Sequence, residues 1–370
     1  MKNEKLALLE KLVNIDSGSH DKKGVDKIGG ILAGLYQSIG FHAEIVEEKE
    51  IGNHLILRHP EAENPKIIII AHMDTVFPEG TAKERPYKTE GNRAYGPGVI
   101  DMKASHVMLF YAMKYLTETN NACLRNVELV FNSDEEIGSV HSRALIEKHA
   151  KGKNYALIME PARKDGSVVT ERRGSGTYTL TIEGEAAHSG IEPEKGKSAI
   201  EELAHKIVKL QQLNDHENGV SVNVGVIEGG TTVNTVSAHA VGHVDVRVSS
   251  MEQFRPLEQK MEEVCETPDV EGTRIELTGH LDRPPMVKTE KSKALYELAK
   301  EIAEELNIDL KETYTGGGSD ASFTASMGVA TLDGLGPIGG NAHSDSEYLE
   351  IPSLDERLQL FIKLVERLSL

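Results

Sequence analysis

Residues 66–72 have the sequence KIIIIAH, an uninterrupted apolar run that ends in a histidine. A strand that is apolar along its whole length is typical of a parallel sheet covered by helices on both faces, whereas a half-solvated strand alternates apolar and polar residues. The neighbouring stretches alternate in type: a helix near 104–116, the strand VELVFNS, a helix near 139–149 and the strand ALIME. This order predicts a three-layer α/β domain with a mostly parallel sheet.

The pattern changes near Gly174. Beyond it we expect a strand, a helix, two strands around a Gly-Gly turn, a second helix and a final strand. The order β-α-β-β-α-β is that of a ferredoxin-like domain. Because the α/β pattern resumes after Pro285, we predict a first domain formed by residues 1–173 and 285–370, into which a ferredoxin-like domain of residues 174–284 is inserted.

Composition argues against several partners. The chain has 370 residues and a formal net charge of −18, which is unfavourable for binding nucleic acid or an anionic membrane surface. No apolar run approaches the ~20 residues of a membrane span, and the charged N-terminal stretch is not typical of a signal peptide. The two cysteines, Cys123 and Cys265, form no CxxC pattern, so we expect a reduced protein of the cytoplasm.

A second stretch, FNSDEEIGS at residues 131–139, places Asp134, Glu135 and Glu136 directly after the apolar run VELVF. A run of charges is usually a solvated surface. Here it follows a strand that we expect to be buried, where desolvation and mutual repulsion of carboxylates are costly. A bound cation would offset both costs, so the acids raise the question of a metal site.

Further side chains of the kinds that bind metals stand at the ends of predicted strands or in the loops that follow. They are His72 and Asp74 in IIIIAHMDTVFP, Asp101 in YGPGVIDMKAS, Glu160 in ALIMEPA and His343 in GPIGGNAHSDSEY. In an open α/β sheet the carboxyl ends of the strands line the ligand crevice. One such residue more often has a structural role, but two histidines and several carboxylates at one edge suit two divalent ions, with zinc the leading candidate.

Seven motifs occur in order along the chain: H-x-D, G-x-G-x-x-D-M-K, D-E-E-x-G-S, E-P, H-S-G, G-G-G-S-D and H-S-x-x-E. This order resembles the zinc-dependent metallopeptidase family that includes glutamate carboxypeptidase, succinyl-diaminopimelate desuccinylase, aminoacylase and the tripeptide aminopeptidase. The resemblance extends over about residues 5–368, and TGGGSDAS and NAHSDSEY are most similar to the glutamate-carboxypeptidase-like members. It implies that the inserted domain forms a lid over the site and joins two chains into a homodimer.

The resemblance also implies a cofactor of two zinc ions, for which Co²⁺ or Mn²⁺ can substitute. Asp101 matches the aspartate that bridges the two ions. His72 and Glu160 match the remaining ligands of one ion, and Glu136 and His343 match those of the other.

Two further acids match residues that act beside the metals. Glu135 matches the general base, which takes a proton from water and returns it to the leaving amine. Asp74 matches the acid that orients His72, and the bond Asp101–Met102 matches a cis peptide.

Outside the metal cluster, four residues are candidates for substrate binding or catalysis. His188 matches a histidine that supports the oxyanion in the partner subunit's active site, although a surface histidine is the alternative. Asn234 matches a substrate contact, or is a turn residue. Arg283 can bind a carboxylate bidentately or lie at a domain hinge, and Gly318 can let the backbone approach a ligand.

These assignments predict a di-zinc hydrolase that cleaves a peptide or amide bond next to a free carboxylate, as a carboxypeptidase does. Deacylation of an N-acyl amino acid stays open because the bond type is the same, and a dipeptidase or tripeptidase is a further alternative. In this family, Glu rather than Asp at position 160 accompanies carboxypeptidases and deacylases.

Two other classes of protein are alternatives to this hypothesis. The first is a metal-stabilised binding protein without turnover. Glu135 argues against it, because binding alone needs no base. The second is a di-metal phosphatase, which requires cationic residues near the ligands, and only Lys103 is close to them in sequence.

Overall fold

The computed structural model describes residues 2–119 and 122–370, which form two compact units. The α/β unit contains the chain up to Glu171 together with Lys288–Thr315 and Ser319–Leu370. The inserted unit contains Arg172–Val287 and Gly316–Gly318.

The helices and strands follow one another in the predicted alternation. Up to the insertion they are α1 (Lys2–Val13), α2 (Lys22–Ser38), β1 (His42–Val46), β2 (His54–Arg58), β3 (Ile67–His72), α3 (Thr81–Glu84), β4 (Lys88–Glu90), β5 (Arg93–Tyr95), α4 (Ala104–Glu118), β6 (Val127–Asn132), α5 (Arg143–Ala150), β7 (Tyr155–Ile158) and β8 (Val168–Arg172). The inserted unit contributes β9 (Gly174–Glu183), α6 (Ala199–Gln211), β10 (Ser221–Gly229), β11 (His239–Val248), α7 (Met251–Glu266) and β12 (Arg274–Arg283). The chain then forms α8 (Glu290–Glu305), β13 (Glu312–Thr315), α9 (Ala321–Ser326), β14 (Ala330–Leu332), β15 (Gly339–Gly340), β16 (Tyr348–Glu350) and α10 (Ile351–Leu368).

The main sheet of the α/β unit has the strand order β1-β2-β6-β3-β7-β14. Strands β6, β3, β7 and β14 are parallel to one another, while β2 runs antiparallel to β6 and to β1. The mostly parallel α/β fold is therefore confirmed. The run KIIIIAH forms β3, which lies between two parallel neighbours.

Burial on both faces explains why no polar residue interrupts β3 before its last residue. Ile67, Ile69 and Ala71 belong to the hydrophobic core that also contains side chains of α1, α2, α4, α8 and α10. Ile68 and Ile70 alternate with them and therefore point to the opposite face of the sheet, where they are also buried. Since all the side chains are covered, only the carboxyl end of the strand can present a functional group.

The inserted unit has the predicted order β-α-β-β-α-β. Its strands form an antiparallel sheet in the order β10-β11-β9-β12. Tyr178, Leu180 and Ile182 of β9 alternate along the strand and pack in one core with side chains of α6 and α7. The ferredoxin-like order is therefore confirmed, while the division into one domain of residues 1–173 and 285–370 and an inserted domain of residues 174–284 stays a prediction.

Two smaller sheets complete the fold, one of β13 and β8 and one in the order β15-β16-β5-β4. Within the part of the chain that the structure describes, no helix combines the length and the apolar character that crossing a membrane requires.

Candidate metal centre

His72 is the last residue of β3, so its side chain stands at the carboxyl edge of the main sheet. Its Nε2 atom lies 3.1 Å from Oδ1 of Asp101 and 3.7 Å from Oε1 of Glu160. Its Nδ1 atom lies 2.9 Å from the backbone oxygen of Asp74. A proton on Nδ1 that is donated to this carbonyl leaves Nε2 as the atom that can bind a metal.

A second histidine faces the other oxygen of the same aspartate. The Nε2 atom of His343 lies 3.2 Å from Oδ2 of Asp101 and 3.1 Å from Oε2 of Glu136. Asp101 therefore stands between two groups, one formed by His72 and Glu160 and the other by His343 and Glu136. The five proposed metal ligands are brought together.

The loop that carries Asp101 is held by a buried carboxylate. Oε1 of Glu347 accepts hydrogen bonds from the backbone N–H groups of Ile100, at 2.8 Å, and Asp101, at 3.1 Å, while Oε2 accepts one from Gly98 at 3.1 Å. Gly98 has a φ of 69°, and a Cβ atom there would come within 2.6 Å of a neighbouring side chain, so the turn requires glycine. The Asp101–Met102 peptide is cis, which confirms that prediction.

Asp74 connects His72 with the turn that carries the two adjacent glutamates. Its Oδ1 atom lies 3.5 Å from Nδ1 of His72 and accepts a 3.2 Å hydrogen bond from the backbone N–H of Glu135. Its Oδ2 atom accepts hydrogen bonds from the backbone N–H of Glu136 at 3.2 Å and from Oγ of Ser19 at 2.7 Å. One buried carboxylate thus lies beside His72 and fixes the backbone of both glutamates, while the role of Asp74 in orienting His72 stays a prediction.

The two glutamates have different neighbours. A carboxylate oxygen of Glu135 lies within 4.8 Å of ligand atoms of His72 and Glu160. A carboxylate oxygen of Glu136 lies within the same distance of ligand atoms of His72 and Asp101. The acidic run of the sequence therefore serves two different positions of one centre.

Burial and the crowding of carboxylates shift the proton affinities of the cluster. Burial raises the pKa of Glu160 well above its usual value and also raises the pKa of Glu136, and the charge of Asp101 adds to both shifts. Hydrogen bonds to Asp101 and Glu136 raise the pKa of His343 to about 11. Burial lowers the pKa of His72, but the neighbouring carboxylates outweigh burial, and its pKa is raised well above the usual value. The cluster attracts positive charge strongly, which favours the binding of cations.

One carboxylate oxygen of the cluster is in a setting that favours a bound cation. Oε1 of Glu136 is buried and has no hydrogen-bond partner within residues 2–119 and 122–370. Leaving a buried carboxylate oxygen unpaired is costly, and a coordinated cation would remove that cost. Imidazole nitrogens and carboxylate oxygens are also the donors that zinc takes in proteins. The residues therefore fit a pair of divalent cations.

Two of the predicted site residues lie together in the inserted unit. His188 pairs with Thr235 through a backbone bridge, and the backbone N–H of Ser189 donates a 3.0 Å hydrogen bond to the backbone oxygen of Asn234. The side chains of His188 and Asn234 are both exposed. Their roles in catalysis and substrate binding stay predictions.

The other two also lie together in the inserted unit. Arg283 is only 5% exposed, and a Cβ atom on Gly318 would come within 2.7 Å of its Cδ atom. Nη1 of Arg172 donates hydrogen bonds of 2.8 Å to the oxygen of Gly317 and 3.0 Å to that of Gly318. The glycine run therefore lets the backbone approach two arginines closely, while a role for Arg283 and Gly318 in binding substrate stays a prediction.

Sequence reasoning gave no role to Glu347 or Ser19. Glu347 ends the H-S-x-x-E motif, and its position four residues after His343 was the signal that could have revealed it. Ser19 had no comparable signal. Asp134, to which we also assigned no catalytic role, accepts backbone N–H bonds at Oδ2 from His141 at 2.7 Å and Ser142 at 3.2 Å.

A cavity of about 500 Å³ opens beside the centre and includes Glu136 in its lining. Val76, Phe77 and Ile137 contribute apolar wall, and Ser19 contributes a polar group. The α/β unit thus offers space next to the metal-binding side chains for part of a ligand.

Two groups of potential metal ligands lie at the carboxyl edge of a mostly parallel sheet, and the chain also contains a ferredoxin-like insertion. This combination is typical of metal-dependent hydrolases. The profile of Peptidase family M20/M25/M40 matches residues 68–367, and the chain belongs to this family. The resemblance found in the sequence is thereby confirmed, as is the expectation of a hydrolytic enzyme.

Individual relatives differ in their activities. Carboxypeptidase G2 of a Pseudomonas species (strain RS-16) is 29% identical over 367 residues, covering 96% of this chain and 87% of the relative. Succinyl-diaminopimelate desuccinylase of a Janthinobacterium species (strain Marseille) is 23% identical over 384 residues, covering 99% of each chain. The crystal structure of aminopeptidase PepT from Bacillus cereus has a TM-score of 0.83 and 24% identity, covering 100% of this chain and 99% of that one. This structure supports the fold alone.

Proposed function

We propose that this protein is a di-zinc hydrolase that cleaves a peptide or amide bond next to a free carboxylate. The observation that carries the proposal is the position of Asp101, whose Oδ1 lies 3.1 Å from His72 and whose Oδ2 lies 3.2 Å from His343. A carboxylate with one histidine at each oxygen is suited to bridge two cations, as in two-metal hydrolytic sites.

The ligands divide between the two ions. His72 and Glu160 would hold one ion, Glu136 and His343 would hold the other, and Asp101 would be shared. Zinc suits these donors best, and Co²⁺ or Mn²⁺ would fit the same set. When bound, the ions would polarise the scissile carbonyl and lower the pKa of water towards ~7, which allows amide hydrolysis at neutral pH.

Glu135 is the proposed base. Its carboxylate lies beside His72 and Glu160, and its backbone N–H is held by Asp74 at 3.2 Å. It can take a proton from the attacking water as the new C–O bond forms and deliver that proton to nitrogen as the C–N bond breaks. Because the backbone is already fixed, little entropy is lost when the carboxylate meets the reacting atoms.

The substrate carboxylate is assigned to the inserted unit. Arg283 is a bidentate donor in a buried setting, where a charge pair is stronger than in water, and Gly318 packs against it. Asn234 is the proposed second polar contact. The carboxypeptidase name of one relative supports this assignment.

A homodimer through the inserted unit is part of the proposal. Strand β10 lies at an edge of its sheet, and Val226 and Ile227 on it are 54% and 61% exposed. An edge strand with exposed apolar side chains favours pairing with a second copy of the chain. His188 would then support the oxyanion in the partner subunit's site. We propose a cytoplasmic location on the sequence argument alone.

N-acyl-amino-acid deacylation is the second candidate, supported by the desuccinylase among the relatives and by the identical bond type. A dipeptidase or tripeptidase ranks below it. A phosphatase is disfavoured because Nζ of Lys103 is buried and donates to the backbone oxygens of Ile15 at 2.9 Å and Pro97 at 3.2 Å. This cation therefore serves the backbone and is not available to hold a phosphate.

The substrate class is tested by a chromatographic screen of the zinc-loaded protein against dipeptides, N-acyl amino acids and their carboxamide analogues. Cleavage of free-carboxylate compounds, with the matching carboxamides left uncut, is the expected result. Preferential release of an N-terminal residue from tripeptide amides would replace the proposal by an aminopeptidase.

A further inference from the structure

The last residues of two sequence motifs have no role in the chemistry described so far, and they meet in the structure. Asp320 ends the motif G-G-G-S-D and is 2% exposed, and Ser139 ends the motif D-E-E-x-G-S. Oδ1 of Asp320 accepts a 2.5 Å hydrogen bond from Oγ of Ser139. Oδ2 accepts a 2.8 Å hydrogen bond from Nδ2 of Asn132.

These two hydrogen bonds hold the two ends of the segment 132–139, which contains the proposed base and a proposed metal ligand. Asn132 is the last residue of β6, and Ser139 follows the turn that contains Glu135 and Glu136. Asp320 therefore binds the side chains at both ends of the segment, while Asp74 accepts the two backbone N–H groups in its middle. The segment is held at three places by two carboxylates.

The backbone at Ser139 supports a requirement for its hydroxyl. Ser139 has a φ of 56° and is fully buried. A left-handed conformation costs a residue with a Cβ atom more than it costs glycine. Glycine would relieve that cost but could not donate a hydrogen bond to Asp320. The presence of serine therefore indicates that the hydrogen bond to Asp320 stabilises the fold by more than the backbone strain costs.

We propose that Asp320 is a positioning residue that sets the directions of Glu135 and Glu136 by clamping the ends of their turn. The inference rests on the proposed two-metal function. Asp320 has no role in the proposed chemistry, so its loss acts through the two glutamates: the ion held by Glu136 binds more weakly, and proton transfer by Glu135 slows.

The test uses a reversal of the hydrogen bond. In Asp320→Asn, one of the two acceptor oxygens becomes an NH₂ group. Facing Asn132, it opposes another NH₂ group; facing Ser139, it can only donate to Oγ, so the serine hydroxyl loses residue 320 as its acceptor. The double variant Asn132→Asp/Asp320→Asn reverses the donor and the acceptor and keeps the net charge. In the double variant, Oγ of Ser142, now 3.1 Å from Nδ2 of Asn132, can donate to the new carboxylate.

Zinc affinity is measured by competition with a chromophoric chelator. The kinetic parameters kcat and KM and the thermal stability are measured for the same variants. We expect Asp320→Asn to weaken binding of the second zinc equivalent about 10–100-fold, which is the range for residues that orient metal ligands. The variant should also lower kcat, with KM changed less than about threefold. The double variant should recover most of both losses. Ser139→Gly should weaken zinc binding with only a small loss of stability, because relief of the left-handed backbone offsets part of the lost hydrogen bond, and it replaces Asp320→Asn if that variant does not fold.

Glu128→Gln is the matched control, because it makes the same chemical change at a buried acid near the other end of β6. It should lower stability and leave zinc affinity unchanged. Wild-type zinc affinity and kcat in Asp320→Asn, or a folded double variant no better than the single one, would overturn the clamp. A wild type that binds fewer than two zinc ions would instead refute the proposed function.

Discussion

Glu347 binds the backbone of Asp101 and leaves that residue's side chain free to stand between two histidines. Its Oε1 atom accepts the Asp101 N–H at 3.1 Å. Burial and the charge of Asp101 raise the pKa of Glu347 to about 7, while hydrogen bonds from three backbone N–H groups favour its ionised form and oppose that rise. A carboxylate is needed here because it presents only acceptors to three backbone N–H groups. The position of Asp101, the proposed shared metal ligand, thus depends on a residue that is not one of the proposed ligands.

Replacing Glu347 with glutamine should loosen this loop. One of the two side-chain oxygens becomes an NH₂ group that faces a backbone donor, which leaves at least one buried N–H unpaired. We expect the free energy of unfolding to fall by about 1–3 kcal/mol and zinc affinity to fall about 10–100-fold. Denaturant unfolding and chelator competition measure the two losses.

Glu350→Gln is the control for this variant, because Glu350 pairs with Arg93 at the surface three residues further along. It should change stability by less than about 1 kcal/mol and zinc affinity not at all. Equal zinc affinities for wild type and Glu347→Gln would show that the loop holds Asp101 without this carboxylate.

Removing Arg283 should weaken discrimination between a substrate and its carboxamide analogue. A desolvated arginine–carboxylate pair is worth about 2–5 kcal/mol when one partner is removed. Wild type should therefore prefer the free carboxylate strongly, whereas Arg283→Ala should prefer it weakly, as judged by kcat/KM for the two compounds. Arg274→Ala, at the exposed start of the same strand, is the control and should behave as wild type. Undiminished preference in Arg283→Ala would assign Arg283 a structural role.

Mixing two inactive variants tests whether the site is shared between chains. If His188 acts in the partner subunit's site, a heterodimer of His188→Ala and Glu135→Ala contains one site in which both residues are present. After full random exchange about half of the dimers are heterodimers, each with one complete site of two, so a 1:1 mixture should regain up to about a quarter of the wild-type activity per site. Each variant mixed with itself is the control. No recovery after mass spectrometry has shown subunit exchange would place His188 outside the partner's site.

Acid should destabilise the protein through a carboxylate far from the metals. Burial opposes ionisation of Glu128, but hydrogen bonds from His149 and Lys153 outweigh burial and hold its pKa at about 2, against a usual 4.5. Because the folded pKa lies below the unfolded one, the stabilisation is complete above about pH 4.5 and is lost as the pH falls towards about 2. It amounts to something on the order of 3 kcal/mol.

Unfolding is compared between wild type and Glu128→Gln from pH 7 to pH 2, with chelator present so that metal release does not contribute. The stability difference between them should shrink as the pH falls through this range. A difference that stays constant with pH would show that Glu128 does not titrate as the ion network predicts.

The fold could be predicted from the sequence because a strand that is buried on both faces is apolar along its whole length. The run at Ile67–Ile70 is apolar on every residue, and the strand ends in the histidine of the centre. The residues assigned to the metals could be predicted because chemistry restricts them to histidine and carboxylate at strand ends. Their use of zinc still rests on the proposal.

The supporting contacts could not be predicted in the same way. Glu347 acts on backbone N–H groups, which every residue but proline possesses, so its partners have no sequence signature. Ser139 and Asp320 are far apart in the chain and meet only through the fold. Whether Arg283 binds substrate or serves the fold depends on its three-dimensional surroundings, which its neighbours in the sequence do not specify.

The central claim is that Glu135 moves the proton at a two-metal centre, and one measurement addresses it directly: turnover of Glu135→Gln, with zinc content determined on the same samples. Glutamine keeps the size and hydrogen bonding of the side chain but cannot carry the proton. Wild type and variant should each bind two zinc equivalents, with turnover of the variant lower by about 10²–10⁴-fold. A variant that holds two zinc ions and turns over at nearly the wild-type rate would contradict it, as would a fully active wild type with fewer than two.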